Sequence, residues 1–263
     1  MHPAKVLHRT EAGDALLEGA PSHRPLYQEV KRLLTRSLVA GEWRPGEALP
    51  PERLLVRRFN VAMGTLRKAV DELVREKILV RQQGRGTFVA AHDRDRLMFY
   101  FFHIVRKDGT KEVPQVELLS FRKGHAGDEA AEKLRIERDS PIYLIANLLR
   151  IDGEPVILDD IVIPQKLFPG LTESRFRNRP STIYHLYQTA FDITVVRSAE
   201  RLRAISADHR SSALLGVSKR APLLEVRRVV MTYNDAPIEF RRSLVNSKNY
   251  EYYSDLGMPN GNK

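Results

Sequence analysis

Between Pro25 and Val89 the spacing of apolar side chains changes from helical to alternating, and no other feature restricts the fold of this chain as much. Leu26, Val30, Leu33, Leu34 and Leu38 recur at i, i+4, i+7, i+8 and i+12, the single stripe of a helix resting on a core. Pro25 suits the first turn of that helix, and Gly41 followed by Pro45-Gly46 ends it. A second, short helix starts at Pro50-Pro51-Glu52 and is predicted to bury Leu54, Leu55 and Phe59 before Asn60 breaks the pattern. A third runs from about Ala62 to Glu76 with Leu66, Ala69, Val70 and Leu73 inward, leaving Gly64, Thr65, Arg67, Lys68 and Asp71 mostly outward. The period then falls to two. Residues 78–81 and 87–89 flank Gln82-Gln83-Gly84-Arg85-Gly86, which predicts a hairpin with two glycines and an arginine at its tip.

Three helices followed by a basic-tipped hairpin read as a winged helix-turn-helix. The third helix is shaped for a major groove, and the wing for the neighbouring backbone or minor groove. The charge agrees. The 263-residue chain carries a formal net charge of +10. Residues 23–91 hold 14 basic and 7 acidic side chains, a net of +7. Residues 1–22 have a net of −1, and the remaining 172 residues have 27 basic and 23 acidic side chains, a net of +4. A compact basic module on a larger, nearly balanced one suggests a polyanion-binding head joined to a domain with another task.

That larger domain reads as antiparallel α+β. Strands are predicted over 97–106, 113–121, 141–151, 155–163, 193–205, 223–233 and 237–246, with tight turns at Asp152-Gly153 and Asn234-Asp235. Helices fit near 127–135, 181–190 and 207–215. The apolar run Leu97–Val105 is far shorter than the roughly 20 residues of a membrane helix. There is no cysteine, hence no disulfide and no thiolate metal site, which fits a cytoplasmic protein. The eight histidines at 2, 8, 23, 92, 103, 125, 185 and 209 form no i, i+4 pair, and neither a glycine-rich phosphate loop nor a serine elbow occurs. Asp159-Asp160 is a carboxylate pair, but neighbours on a strand point to opposite faces. No cofactor, metal or catalytic group is expected, and a lyase-like enzyme is the weaker alternative. A protein that coats DNA without sequence preference is the other.

Several blocks carry a family resemblance. Pro25-Leu26-Tyr27, Pro45-Gly46, Leu49-Pro50-Pro51-Glu52-Arg53, Thr65-Leu66-Arg67-Lys68-Ala69-Val70 and Gln83-Gly84-Arg85-Gly86-Thr87-Phe88-Val89 stand in the order and spacing of the DNA-binding head of GntR bacterial regulators. The resemblance covers about residues 23–91. It implies DNA contacts from Arg53, Met63, Gly64, Thr65, Arg67, Lys68, Gln83, Gly84 and Arg85. The chain departs from the family where Ala62-Met63 replaces a hydroxyl residue followed by Arg, and where Pro51 replaces a capping Ser. Base reading then leans on Arg67 and on the apolar contact Met63 can offer a thymine methyl.

The larger domain resembles the UTRA effector-binding domain, which has a chorismate-lyase-like fold and marks the HutC subfamily. The matching blocks are Arg150 with Asp152-Gly153-Glu154-Pro155, Ile163-Pro164, Leu167-Phe168-Pro169-Gly170-Leu171, Glu200-Arg201, Pro222-Leu223-Leu224, Arg227-Arg228, Ala236-Pro237-Ile238-Glu239-Phe240 and Tyr250, over about 97–255. Carried over by position, the resemblance implies effector contacts from Arg150, Asp159, Ser181, Arg197, Glu200, Glu239 and Tyr250. Arginine forks suit an anionic metabolite, and carboxylates accept from its hydroxyl or amino groups. The expected organisation is an arm at 1–22, the winged head at 23–91, a linker at 92–96, the UTRA domain at 97–255 and a tail at 256–263. The expected protein is a repressor that binds a palindromic operator as a homodimer and responds to a small effector.

Overall fold

The computed structural model describes residues 25–91 and 101–254, and the chain divides into two compact units after Ala90. The expected arm, linker and tail, and the first four residues of the strand predicted over 97–106, lie outside the described residues; of the remaining six only Ile104–Arg106 is strand.

In the first unit α1 (Leu26–Val39), α2 (Glu52–Phe59) and α3 (Met63–Arg75) precede β1 (Leu79–Gln82) and β2 (Gly86–Val89). The helical stripes meet as their spacing requires, except at Leu26, which stands in the first turn of α1 and is 48% exposed. Val30, Leu33, Leu34 and Leu38 of α1, Leu55 and Phe59 of α2, and Leu66, Ala69, Val70 and Leu73 of α3 are all buried. Leu54 is not: it is 53% exposed, because an eight-residue helix buries one narrow stripe, here the i, i+4 pair Leu55 and Phe59. Asn60 ends α2 in a left-handed conformation at φ 49°. β1 and β2 pair antiparallel in register Leu79↔Val89 to Gln82↔Gly86. A bridge between Ala48 and Phe88 adds a third segment to this hairpin. Its hydrogen bonds run from Gly46 N to Val89 O and from Leu49 N to Thr87 O. Trp43, the chain's single tryptophan, is buried in this unit with the Arg58 guanidinium 5.4 Å from its ring centre.

The second unit is built on a six-stranded antiparallel sheet. Its strands are β4 (Gln115–His125), β5 (Pro141–Ile151), β6 (Glu154–Pro164), β7 (Arg197–Ser206), β8 (Pro222–Met231) and β9 (Pro237–Val245). They lie in the order β4-β5-β6-β9-β8-β7. A separate ribbon pairs β3 (Ile104–Arg106) with β10 (Tyr250–Tyr252). Asp152-Gly153 closes the β5–β6 hairpin with both residues at positive φ (50° and 78°), the geometry a two-residue hairpin loop demands. Helices α5 (Glu173–Arg177) and α6 (Ile183–Phe191) cover one face of the sheet. There Phe176, Ile183, Tyr184, Leu186 and Tyr187 pack on Tyr143, Ile145, Ile161, Ile163 and Val230. The other face carries α4 (Asp128–Leu134) and α7 (His209–Leu215), with Leu148, Leu158, Leu215, Leu223 and Leu244 in its core. The predicted helices and most strands recur within a few residues. α5 has no counterpart among the sequence expectations, because five residues are too few to display a period. Its start is fixed instead by Thr172, whose hydroxyl accepts from the Arg175 amide.

Candidate DNA-binding surface and effector pocket

The first turn of α2 and the outer side of α3 are tied together by an exposed ion pair, Arg67 Nε to Glu52 Oε2 at 2.8 Å. Arg53, Gly64, Arg67 and Lys68 are exposed, as are Gln83, Gly84 and Arg85 at the hairpin tip, while Met63 and Thr65 are half-buried at the start of α3. The Lys68 ammonium sits 4.0 Å from the Tyr27 ring centre, and Arg85 lies over Phe88. Gly84 adopts φ 70° and Gly86 φ 115°, so the tip turns through conformations that suit glycine. Both α2 and α3 begin without a side-chain cap, at Pro51 and Ala62. Their first amide N–H groups are open to an anion such as a DNA phosphate.

The sheet face under α6 holds a different kind of site. Arg228 of β8 and Arg241 of β9 are direct cross-strand neighbours, and both project into it. Like charges placed this way repel unless neutralised. Carboxylates surround them. Arg228 Nε donates to Glu200, and Arg228 Nη2 donates to the Phe101 carbonyl at 2.6 Å. Arg241 Nε donates to Glu239 Oε1 at 2.9 Å, and its Nη1 to Asp159 Oδ2 at 3.0 Å. Asp159 Oδ1 accepts from Ser243 Oγ, Glu239 Oε2 from Tyr187 Oη at 2.7 Å, and Glu200 from Tyr252 Oη. Glu239 and Asp159 are buried to 0% and 2% exposure, as such pairing permits. The neighbouring carboxylates hold the Arg241 guanidinium above its usual range against the cost of its burial, and burial with the adjacent Glu239 charge raises the Tyr187 phenol well above its own.

A half-open cleft of about 40 Å³ adjoins this network, bounded by His103, Asp159, Arg228, Arg241, Ser243 and Tyr252 among others. Two buried polar atoms on this face lack any partner: Arg241 Nη2 and Asn147 Oδ1. Asn147 stands opposite Asp159 in the β5–β6 register.

Of the residues the sequence singles out, Asp159, Glu200 and Glu239 come together around the two arginines. The other four lie apart. Arg150 bonds Glu117 and the Gly153 carbonyl at the hairpin end of β5, and Arg197 pairs with Asp235 at the surface. Tyr250 belongs to the β3–β10 ribbon beside Arg106, and Ser181 precedes α6 outside the residues lining the cleft. Arg228, Arg241, Tyr187 and Asn147 are not among the effector contacts the resemblance implies, although Arg228 stands in one of its matching blocks. The usable signal is the two adjacent pairs, Arg227-Arg228 and Arg241-Arg242, since alternation sends one arginine of each pair to each face. Asp159 and Asp160 diverge in the same way, Asp160 bonding Arg210 on the α7 face at 2.8 Å.

A three-helix head with a basic-tipped wing, followed by a sheet with a polar pocket, defines a winged helix-turn-helix regulator with a separate sensing domain. The family comparison makes this specific: residues 26–89 match the model for bacterial regulatory proteins of the gntR family and residues 110–251 match the UTRA domain, and the chain belongs to the GntR regulators that carry a UTRA domain. A relative from Escherichia coli O157:H7, described as a fructoselysine utilization operon transcriptional repressor, is 28% identical over 223 residues, covering 82% of this chain and 88% of the relative. The transcriptional repressor NagR of Bacillus subtilis is 26% identical over 231 residues, covering 87% and 93%. Among solved structures, the ligand-binding domain of a protein described as a GntR-family transcriptional regulator from Bordetella bronchiseptica matches with a TM-score of 0.57 at 30% identity. That match covers 60% of this chain and 99% of the other. The protein is therefore a DNA-binding transcription regulator and not an enzyme. No helix among the described residues is long and apolar enough to cross a membrane.

Proposed function

We propose that the protein is a cytoplasmic repressor of the HutC type which binds a two-fold operator as a homodimer and is released by a small metabolite held in the pocket under α6. The observation that carries this reading is the pair of orphaned buried polar atoms, the donor Arg241 Nη2 and the acceptor Asn147 Oδ1, on one face beside a cleft. A buried polar group without a partner costs about 1–3 kcal/mol, which a ligand offering one acceptor and one donor would recover. The cleft has room for only a few waters as it stands. A metabolite must therefore displace part of its wall, and Phe102, His103 and Ile104, which begin eleven residues beyond the head, form part of that wall. Ligand binding would thereby act on the chain that leads to the DNA-binding unit. The size of the response equals the ligand's difference in affinity between DNA-competent and incompetent states.

The reading is tested by selecting bound duplexes from a random DNA pool and following the affinity of the winners against salt. An enriched inverted repeat, with log affinity falling linearly in log salt, is the expected result. Metabolites are then screened for release of that operator. Salt-sensitive binding without an enriched motif would replace this reading with a DNA-coating protein.

A further inference from the structure

The arginines of the first unit do not all hold their carboxylates through the same atoms. Arg32 donates Nε and Nη2 to Glu29, Arg58 donates Nη1 and Nη2 to Glu42, and Arg81 gives Nη2 to Asp71. Arg67 gives Nε alone, to Glu52 Oε2 at 2.8 Å. Among the described residues nothing binds its Nη1 or Nη2, and its side chain is 59% exposed. Arg32, Arg58 and Arg81 have therefore each spent at least one terminal nitrogen inside the protein, whereas Arg67 is gripped at its stem and keeps the whole outer fork.

That fork is the edge that matters for base reading, because guanine O6 and N7 accept two parallel N–H bonds from one guanidinium. Arg67 is also the one arginine in the first two turns of α3, Ala62-Met63 having replaced the hydroxyl residue and Arg at its start. Glu52 is carried by α2 and Arg67 by α3, two helices that pack together. The direction of the guanidinium is thus set by two elements rather than by the rotamers of one long side chain. A side chain ordered in advance loses less freedom on binding. The same carboxylate repels phosphates, and that effect weakens binding to every DNA sequence alike.

We infer that Glu52 is a positioning residue for base reading: it holds Arg67 by Nε so that Nη1 and Nη2 face a guanine edge, and it raises selectivity while lowering affinity for DNA in general. The inference rests on the operator reading above and names the residue behind its selectivity.

The test uses the full-length protein at one salt concentration. Its probes are the duplex enriched from the random pool, that duplex with each base pair replaced in turn, and a scrambled duplex of equal length. The position read by Arg67 is the one where Arg67→Lys loses discrimination. There the wild type prefers a guanine pair, and replacing it weakens binding roughly 5- to 150-fold. Glu52→Gln loses most of that discrimination, keeps it at other positions, and binds the scrambled duplex more tightly than wild type because one repelling charge is gone. Glu52→Asp keeps the charge but is shorter by one methylene, so discrimination falls while affinity for the scrambled duplex stays at the wild-type level. Glu76→Gln, at the opposite end of α3 where Glu76 pairs with Lys31, keeps full discrimination. In an Arg67→Lys background, which has no fork to direct, Glu52→Gln alters discrimination no further. Unchanged discrimination in Glu52→Gln overturns the inference and leaves the operator reading standing. Tighter operator binding with discrimination intact does the same, as it would mean that Glu52 merely withholds Arg67 from DNA. A lowered Trp43 unfolding midpoint with discrimination intact also overturns it, since Glu52 would then only support α2. An Arg67-dependent position that is not a guanine pair removes the guanine fork. A wild type that enriches no motif overturns the inference and the operator reading together.

Discussion

Arg228 and Arg241 face one another directly across β8 and β9, two guanidiniums in adjacent cross-strand positions on a largely buried surface. Such a pair persists only because Glu200, Asp159 and Glu239 enclose it. Removing one cation leaves buried carboxylates unanswered, a loss of about 3–5 kcal/mol. Arg241→Met is expected to lower the urea midpoint of the second unit steeply. Arg201→Met, at an exposed arginine on β7, should change stability by no more than about 0.5 kcal/mol. Equal midpoints for the two variants would contradict the enclosed network.

Arg67→Ala is expected to abolish specific DNA binding while leaving effector affinity measurable. Its bond to Glu52 is exposed, so the pair contributes at most about 1 kcal/mol to stability. Loss of DNA binding should therefore come without a large shift in the unfolding of the head. Trp43 fluorescence reports that unfolding separately, since the chain's single tryptophan is buried there. A folded variant that loses DNA and effector binding together would contradict two separable units.

At the wing, Gly86 adopts φ 115°, a region closed to residues with a Cβ atom, although no atom crowds the position a Cβ would take. Gly86→Ala is thus expected to destabilise the hairpin by conformational strain alone, on the order of 1–3 kcal/mol. Weakened operator binding with a lowered Trp43 transition is the outcome to look for. An unchanged transition would mean that the tip relaxes at no cost.

The pH dependence has a local source at α7. Asp208 caps this helix in a reciprocal box: Ser211 N donates to Asp208 Oδ1 at 2.7 Å, and Asp208 N donates to Ser211 Oγ at 2.9 Å. The hydrogen bonds from the Ser211 side chain and then its backbone lower the Asp208 carboxyl below its ordinary value. A group lowered in the fold contributes stability that is present above its unfolded value, about 3.9, and is lost as pH falls through the folded one. Asp208→Ala should cost about 1 kcal/mol at neutral pH. The smaller deficit of Asp208→Asn should shrink as pH falls below the unfolded value of about 3.9 and disappear only below the lowered folded one, where the wild-type carboxyl is itself neutral. A gap between wild type and Asp208→Asn that widens on acidification would contradict this origin.

Much of the fold is legible in the sequence where periodicity is long and turns are chemically marked. The stripe of α1 and the Asp152-Gly153 hairpin are both of this kind. Shorter signals fail for physical reasons. Leu54 reads as core because it adjoins Leu55, yet only one side of a two-turn helix can be covered. The Ala48 bridge to Phe88 is a long-range pairing that no local pattern announces. In the pocket, Asp159 and Glu239 are recoverable as polar residues within apolar strands. Arg228 and Arg241 are harder to find, because choosing the inward member of an adjacent arginine pair needs the strand register.

The same alternation lets the domain change one property at a time. Arg228 and Arg241 serve the cleft, whereas Arg242 bonds Glu225 and Arg227 pairs with Glu129 on the α7 face. Consecutive positions in the chain thus answer to separate environments across the thickness of the sheet. A substitution that retunes recognition can arise beside a residue that secures the scaffold without disturbing it.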